Sequence, residues 1–198
     1  MPLTIATAAV AQVVKNETTL LHQEVEQLLL PHLGAVKTQR DYANILLAFY
    51  GYFLPLQEKI QSFISPEILP DIHKRRTASL IVEDLAFMGF PRPSVHCKNL
   101  PDITNQAQAF GALYVLEGST LGGKMIARML AKNKAVFIPA EALNFFSGYK
   151  EQTGKMWTSF IETLNRQQEK ESIVDAANQT FYYLKNWILH SLKHEQTH

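Results

Sequence analysis

"LYVLEGSTLGGKMIARML", residues 113–130, is the stretch on which the fold turns. Its apolar residues recur at helical spacing, and its cations Lys124 and Arg128 fall toward the end, where they suit a helix C-terminus. Yet Gly118, Gly122 and Gly123 interrupt it. An interior glycine costs a helix about 1 kcal/mol relative to alanine, so the three together forgo on the order of 2–3 kcal/mol. On a helix Ala107, Gly111, Gly118 and Gly122 lie within about 60° of one another, with Gly123 to one side. One face is therefore nearly bare. Either another helix crosses there at short range, or a flat ligand lies against the exposed backbone. Glycines clustered in mid-helix also allow a bend. Periodicity alone does not choose between these readings.

Outward from this stretch the period stays helical, with no run of alternating residues bounded by hairpin turns and no internal repeat. The expected fold is all-α with about seven helices. A first helix runs from about Thr4 or later to a stop at Pro31 and Gly34. Thr38 caps a long second helix that Pro55 kinks. Ser65 and Pro66 open a short turn that leads into a helix over 71–88. After the loop "GFPRPSVHCKNLPD" a helix starting at Thr104 carries the glycines. Pro139 begins a short helix ending near Gly148. Then come "TGKMWTSFIETL" and a last helix capped by Ser172 with Asp175.

The chain of 198 residues is long enough for one domain over 1–198, its last few residues a frayed tail. Hydrophobic residues at 46% and charged residues at 19% fit a globular protein, and no run approaches the roughly 20 apolar residues of a membrane span. The N-terminus lacks the basic start of a signal peptide. A formal net charge of +1 argues against a nucleic-acid partner. The lone Cys97 excludes an internal disulfide and points to a reducing cytoplasm.

A second motif lies in the first helix, "KNETTLLHQEVEQLLL". Lys15, Thr18, His22, Val25, Glu26 and Leu29 share one face at spacings of three, four and seven. A metal-ligating imidazole needs its second nitrogen held by an acceptor, and Glu26 one turn after His22 supplies one. Lys15 stands two turns earlier, where an ammonium meets a ligand carboxylate. A histidine on an apolar edge is also a common core or surface residue, so this pattern alone leaves its role open.

"KNETTLLHQEVE", followed about 90 residues later by "GALYVLEGSTLGGKMIARML", resembles the heme oxygenases, in particular the bacterial, phytochrome-associated branch. "TGKMW" at 153–157 and the final "FYYLKNW" agree with it, so the resemblance spans nearly the whole chain. It implies a helical domain with heme between a proximal helix and a glycine-rich distal one. His22 would be the axial iron ligand, Glu26 its orienting carboxylate, and Thr18, Val25 and Phe181 neighbours of the porphyrin. Gly118 and Gly122 would leave room for dioxygen on the distal face, with Ser119 holding water. Heme would be both cofactor and substrate, cleaved to biliverdin, carbon monoxide and iron. Imidazole ligation suits this chemistry because thiolate donation promotes O–O cleavage. Electrons would come from an external donor of ferredoxin or flavodoxin type, and a bacteriophytochrome would accept the biliverdin.

Two positions depart from the pattern. Ser119 stands where the animal enzymes carry an aspartate, and Thr158 where an arginine for a heme propionate is expected; Lys15, Lys155 and Tyr114 remain as propionate partners. A non-catalytic protein that binds heme or another tetrapyrrole is the alternative these departures favour. Another is a member of the wider helical superfamily with di-metal or different chemistry, for which Glu58, Glu83 with Asp84, and Glu117 are the carboxylates on offer. The terminal "HEQTH" matches the zinc-protease pattern, but its second histidine is the last residue, on an end that frays. His190, His194 and His198 share that tail. His73, His96 and the run Lys74–Arg75–Arg76 read as solvated surface, the cations as a docking patch for an acidic electron donor.

Overall fold

Thr38 opens the best-marked helix. Its hydroxyl accepts from Asp41 N at 3.1 Å while the Asp41 carboxylate accepts from Thr38 N at 2.9 Å, a reciprocal capping box that starts α2 (Gln39–Gln61). A computed structural model describes residues 8–193. Before α2 lies α1 (Val10–Gly34), which follows Ala9 without a side-chain cap; the expected start at Thr4 falls outside the described residues. Pro31 sits inside the last turn of α1 instead of ending it, and Ala35 N closes the helix on the carbonyls of Pro31 and His32.

The expected helix over 71–88 does not form as one piece. A 3-10 turn, Ile72–Lys74, is followed by extended backbone at Arg75, and α3 begins only at Ser79 (Ser79–Phe87). The break leaves backbone groups that need partners, and Gln57 of α2 supplies them: its amide donates to Arg76 O and accepts from Ala78 N. The same break turns Arg75 and Arg76 inward, where both are buried.

Asn105, one residue later than expected, caps α4 (Gln106–Ala131) by accepting from Gln108 N. Every residue from 109 to 117 in α4 is buried, so this half of the helix is central, and Glu117 is its one charged side chain. The short α5 (Asn144–Ser147) ends at Gly148, whose φ of 57° lies in the left-handed region that glycine adopts freely. Then come α6 (Thr153–Leu164) and α7 (Lys170–Lys193), the latter starting ahead of the expected cap at Ser172.

α4 and α1 both pack extensively on α7 but barely touch each other. Behind the gap between them stands an aromatic cluster from α2 and α5, in which Phe49, Phe53, Phe145 and Phe146 meet at ring distances of 5.2 to 5.7 Å. Buried residues from all seven α-helices join one hydrophobic cluster. Among the described residues there is no strand, and no helix is long and apolar enough to cross a membrane.

Candidate functional site

The gap between α1 and α4 is a cavity of about 580 Å³. That volume lies within the range of roughly 300–1,000 Å³ typical of cofactor-sized pockets. The α1 wall carries Lys15, Thr18, His22, Val25, Glu26 and Leu29, the face read from the sequence. The α4 wall carries Tyr114, Gly118, Ser119 and Gly122. Phe181 closes the cavity from α7, its ring 5.4 Å from that of His22.

The glycines of α4 divide by what a side chain would meet. A Cβ at Gly111 would lie 2.2 Å from Ile173 O of α7, and one at Gly123 would lie 2.5 Å from Phe146 O of α5. Both are closer than van der Waals contact allows, so these two glycines serve helix packing. At Gly118 the nearest atoms, in the Trp157 ring, are at an ordinary 3.7 Å, and at Gly122 nothing lies within 4 Å. Neither is required by packing within the chain. Gly111 and Gly118 lie on the same face of α4, about 10 Å apart along the axis. The face is covered at one end and opens onto the cavity at the other.

His22 stands at the cavity edge, its side chain 54% exposed, with Nε2 3.4 Å from the Glu26 carboxylate. That contact is longer than a good hydrogen bond and half-exposed, so it orients the ring more than it stabilises the helix. Nε2 faces Glu26, and Nδ1 is the remaining ring nitrogen. Thr18 is buried and donates its hydroxyl to Val14 O, so it presents no spare donor to the cavity. Burial raises the Tyr114 phenol above its ordinary range, and it stays a neutral hydroxyl. Lys15 is the exposed ammonium on the α1 wall. Lys155 and Thr158 are exposed on α6 and do not line the cavity, so Lys155 drops out as a binding residue.

The run read as a solvated patch is a buried network. Only Lys74 of the three is exposed. Arg75 donates to both Asp71 oxygens at 2.7 and 2.8 Å, to Glu117 at 2.8 Å and to Met156 O at 2.8 Å. Burial pushes its guanidinium down, but Glu117 and Asp71 outweigh that and raise it. Burial pushes the Glu117 carboxyl up, while Arg75 and a hydrogen bond from Tyr149 pull it back. Arg76 lines the cavity itself; its Nη2 donates to Leu116 O at 2.8 Å and to Ser119 Oγ. A three-cation run has no local sign that distinguishes this from a surface, since Arg75 finds Glu117 and Met156 far along the chain. The one available hint was Asp71, one helical turn before Arg75.

The sequence reading also missed Trp157, Phe53 and Ile126, which line the cavity as well. Of the carboxylates considered for a di-metal centre, Glu58 and Glu83 are exposed, Glu117 is held by Arg75, and Asp84 accepts from the α5 N-terminus. Among the described residues no three His, Cys, Asp or Glu side chains are placed to hold a metal. The "HEQTH" segment, with His194 and His198, lies outside the described residues.

Comparison with known proteins agrees with this geometry. The heme oxygenase family model matches residues 8–190. A heme oxygenase of Xanthomonas campestris pv. campestris (strain 8004) is 32% identical over 105 residues, which is 53% of this chain and 61% of that protein's length. The crystal structure of the NO- and CO-bound heme oxygenase from Neisseria meningitidis superposes with a TM-score of 0.72 at 20% identity, covering 94% of each chain. At that identity the superposition establishes the shared fold.

Proposed function

The chain belongs to the heme oxygenase family, and on that premise we propose that it cleaves heme to biliverdin, carbon monoxide and iron, acting as one folded unit. The observation that carries the reading is the convergence of His22 on α1 and of Gly118 and Gly122 on α4 upon one apolar cavity between helices that barely touch. The residues present fit a flat, apolar ligand with one metal bond and acidic substituents. The fit rests on an imidazole at the cavity edge, glycines that packing within the chain does not require, aromatic walls, and a lysine at the edge.

Heme, when bound, supplies the iron at which dioxygen is activated and the porphyrin carbon that is oxidised. Everything else falls to the chain. His22 would hold the iron through its imidazole, and Glu26 would hold the ring's other nitrogen, fixing the ring and raising its basicity. Gly118 and Gly122 would keep side chains off the α4 wall and so leave room for the porphyrin and a small ligand. Phe49, Phe53 and Phe145 exclude water from the inner end. Lys15 meets a propionate at the rim, and Tyr114 offers a neutral hydroxyl.

Electrons come from an external carrier of ferredoxin or flavodoxin type, and biliverdin passes to a tetrapyrrole-binding acceptor, for which a bacteriophytochrome is our reading. The compartment we assign is the cytoplasm, where the buried thiol of Cys97 stays reduced.

Hemin added to the purified chain should produce a shifted Soret band. Under air with a donor proven competent on another oxygenase, that band should decay as a red biliverdin absorption grows. A stable Soret band in those conditions would leave a heme-binding protein without turnover. His22→Ala should lose the spectrum of an imidazole-ligated heme while the apoprotein melts almost unchanged, because substitution of a half-exposed side chain shifts stability by no more than about 0.5 kcal/mol.

A further inference from the structure

Arginine is rarely fully buried without a paired carboxylate. Arg75 obeys this rule, with Asp71 and Glu117 both bonded to it. Arg76, next in the chain and equally buried, does not. Its guanidinium bonds only to Leu116 O, Phe145 O and Ser119 Oγ, and it lies over the rings of Phe145 and Phe53 at 4.4 and 5.4 Å. Among the described residues no carboxylate touches Arg76; the nearby Glu117, bonded to Arg75, compensates it only through space, and a buried cation without a direct partner is costly to the fold. Burial pushes Arg76 down to about 10, with Glu117 and Tyr149 opposing, so it remains charged at neutral pH. This charge borders the cavity, where water screens it little.

Ser119 has a specific part in the arrangement. Its hydroxyl donates to Leu116 O and accepts from Arg76, so its hydrogen is directed away from any ligand. It fixes where the guanidinium stands.

We propose that Arg76 is the electrostatic determinant of the cavity, a fixed cation aimed by Ser119 that favours small anionic ligands of bound heme over neutral ones. This rests on the heme reading above. Reduction of dioxygen places negative charge in the cavity, and a preorganised cation there stabilises such charge without reorganisation. The class of ligand is any small anion that reaches the iron side of the cavity.

The test compares azide, an anion, with neutral imidazole as ligands of the ferric heme-loaded full chain. Both are titrated spectroscopically on the unsubstituted protein, Arg76→Met and Arg76→Lys. Removing a charge-assisted interaction from a dry site should weaken azide about tenfold or more in Arg76→Met while imidazole changes by less than about twofold, and lysine should recover part of the affinity. Equal changes for both ligands would reduce Arg76 to a packing residue, and no change for either would overturn the proposal as well. If Arg76→Met does not fold, the same comparison on Ser119→Ala decides, with a selective weakening of azide supporting the proposal and an unselective or absent one overturning it. Failure of the heme reading is seen earlier: absence of any Soret shift with hemin on the unsubstituted protein removes both, whereas a normal Soret band with unselective ligands removes Arg76 alone.

Discussion

A methyl group added at Gly122 and one added at Gly123 would have opposite consequences, although the residues are neighbours on one helix. At Gly122 the added Cβ meets nothing within 4 Å, so Gly122→Ala gains helix propensity and should stabilise the apoprotein by about 0.5–1 kcal/mol. At Gly123 it would press on Phe146 O at 2.5 Å, a backbone atom that moves only with α5, and Gly123→Ala should cost on the order of 1–3 kcal/mol. Urea unfolding of the two variants checks this, and equal effects would remove the division of the glycines into packing and cavity positions. Gly118→Leu belongs to the cavity class: the fold should tolerate it, since the Trp157 ring can shift, while hemin binding is abolished or much weakened. Sequence periodicity could mark these glycines as costly but not sort them, because the atoms that do the sorting belong to α5, α6 and α7.

At the scale of elements, Asp84 joins α3 to α5. Its carboxylate, wholly buried, accepts from the backbone N–H of Asn144 and Phe145 and from the Asn144 side chain, at 2.9 to 3.1 Å. Burial pushes it up from its ordinary 3.8 to about 6, against the pull of those hydrogen bonds. The folded state therefore holds the proton more tightly than the unfolded chain. This contribution to stability is complete below about pH 4 and is lost as pH rises through about 6, on the order of 3 kcal/mol across the window. Unfolding free energies at several pH values should fall through that window in the unsubstituted protein, and less so in Asp84→Asn. Parallel curves would refute the assignment. The sequence displayed α2 and α6 almost to the residue because the capping box of α2 and the periodicity of both are local. It misjudged residues 71–78, where Gln57 of α2 satisfies the backbone and Glu117 of α4 draws Arg75 inward. Such partners reward a broken helix that local propensity does not foresee.

For the whole molecule, ligand binding and folding are linked. Hemin that occupies the cavity of the folded chain only should raise its unfolding free energy by about 2.7 kcal/mol at a free concentration one hundred times Kd. In a chain of this size that corresponds to a rise in Tm of roughly 5–10 °C. Calorimetry should show the rise in the unsubstituted protein and a much smaller one in Gly118→Leu; an unchanged Tm in both would contradict a heme site in this cavity. The sequence by itself determined the helical class, the pairing of His22 with Glu26 on one face, and a helix face stripped of side chains, since each depends on spacing along a single helix. Only the tertiary structure decided that α1 and α4 are held apart on α7, that Gly111 and Gly123 pack against backbone while Gly118 and Gly122 have room for a side chain at the cavity, and that Arg76 turns inward to Ser119. The physical reason is that burial and counter-charge depend on atoms brought together from distant parts of the chain. A residue's own letters and near neighbours do not contain that information.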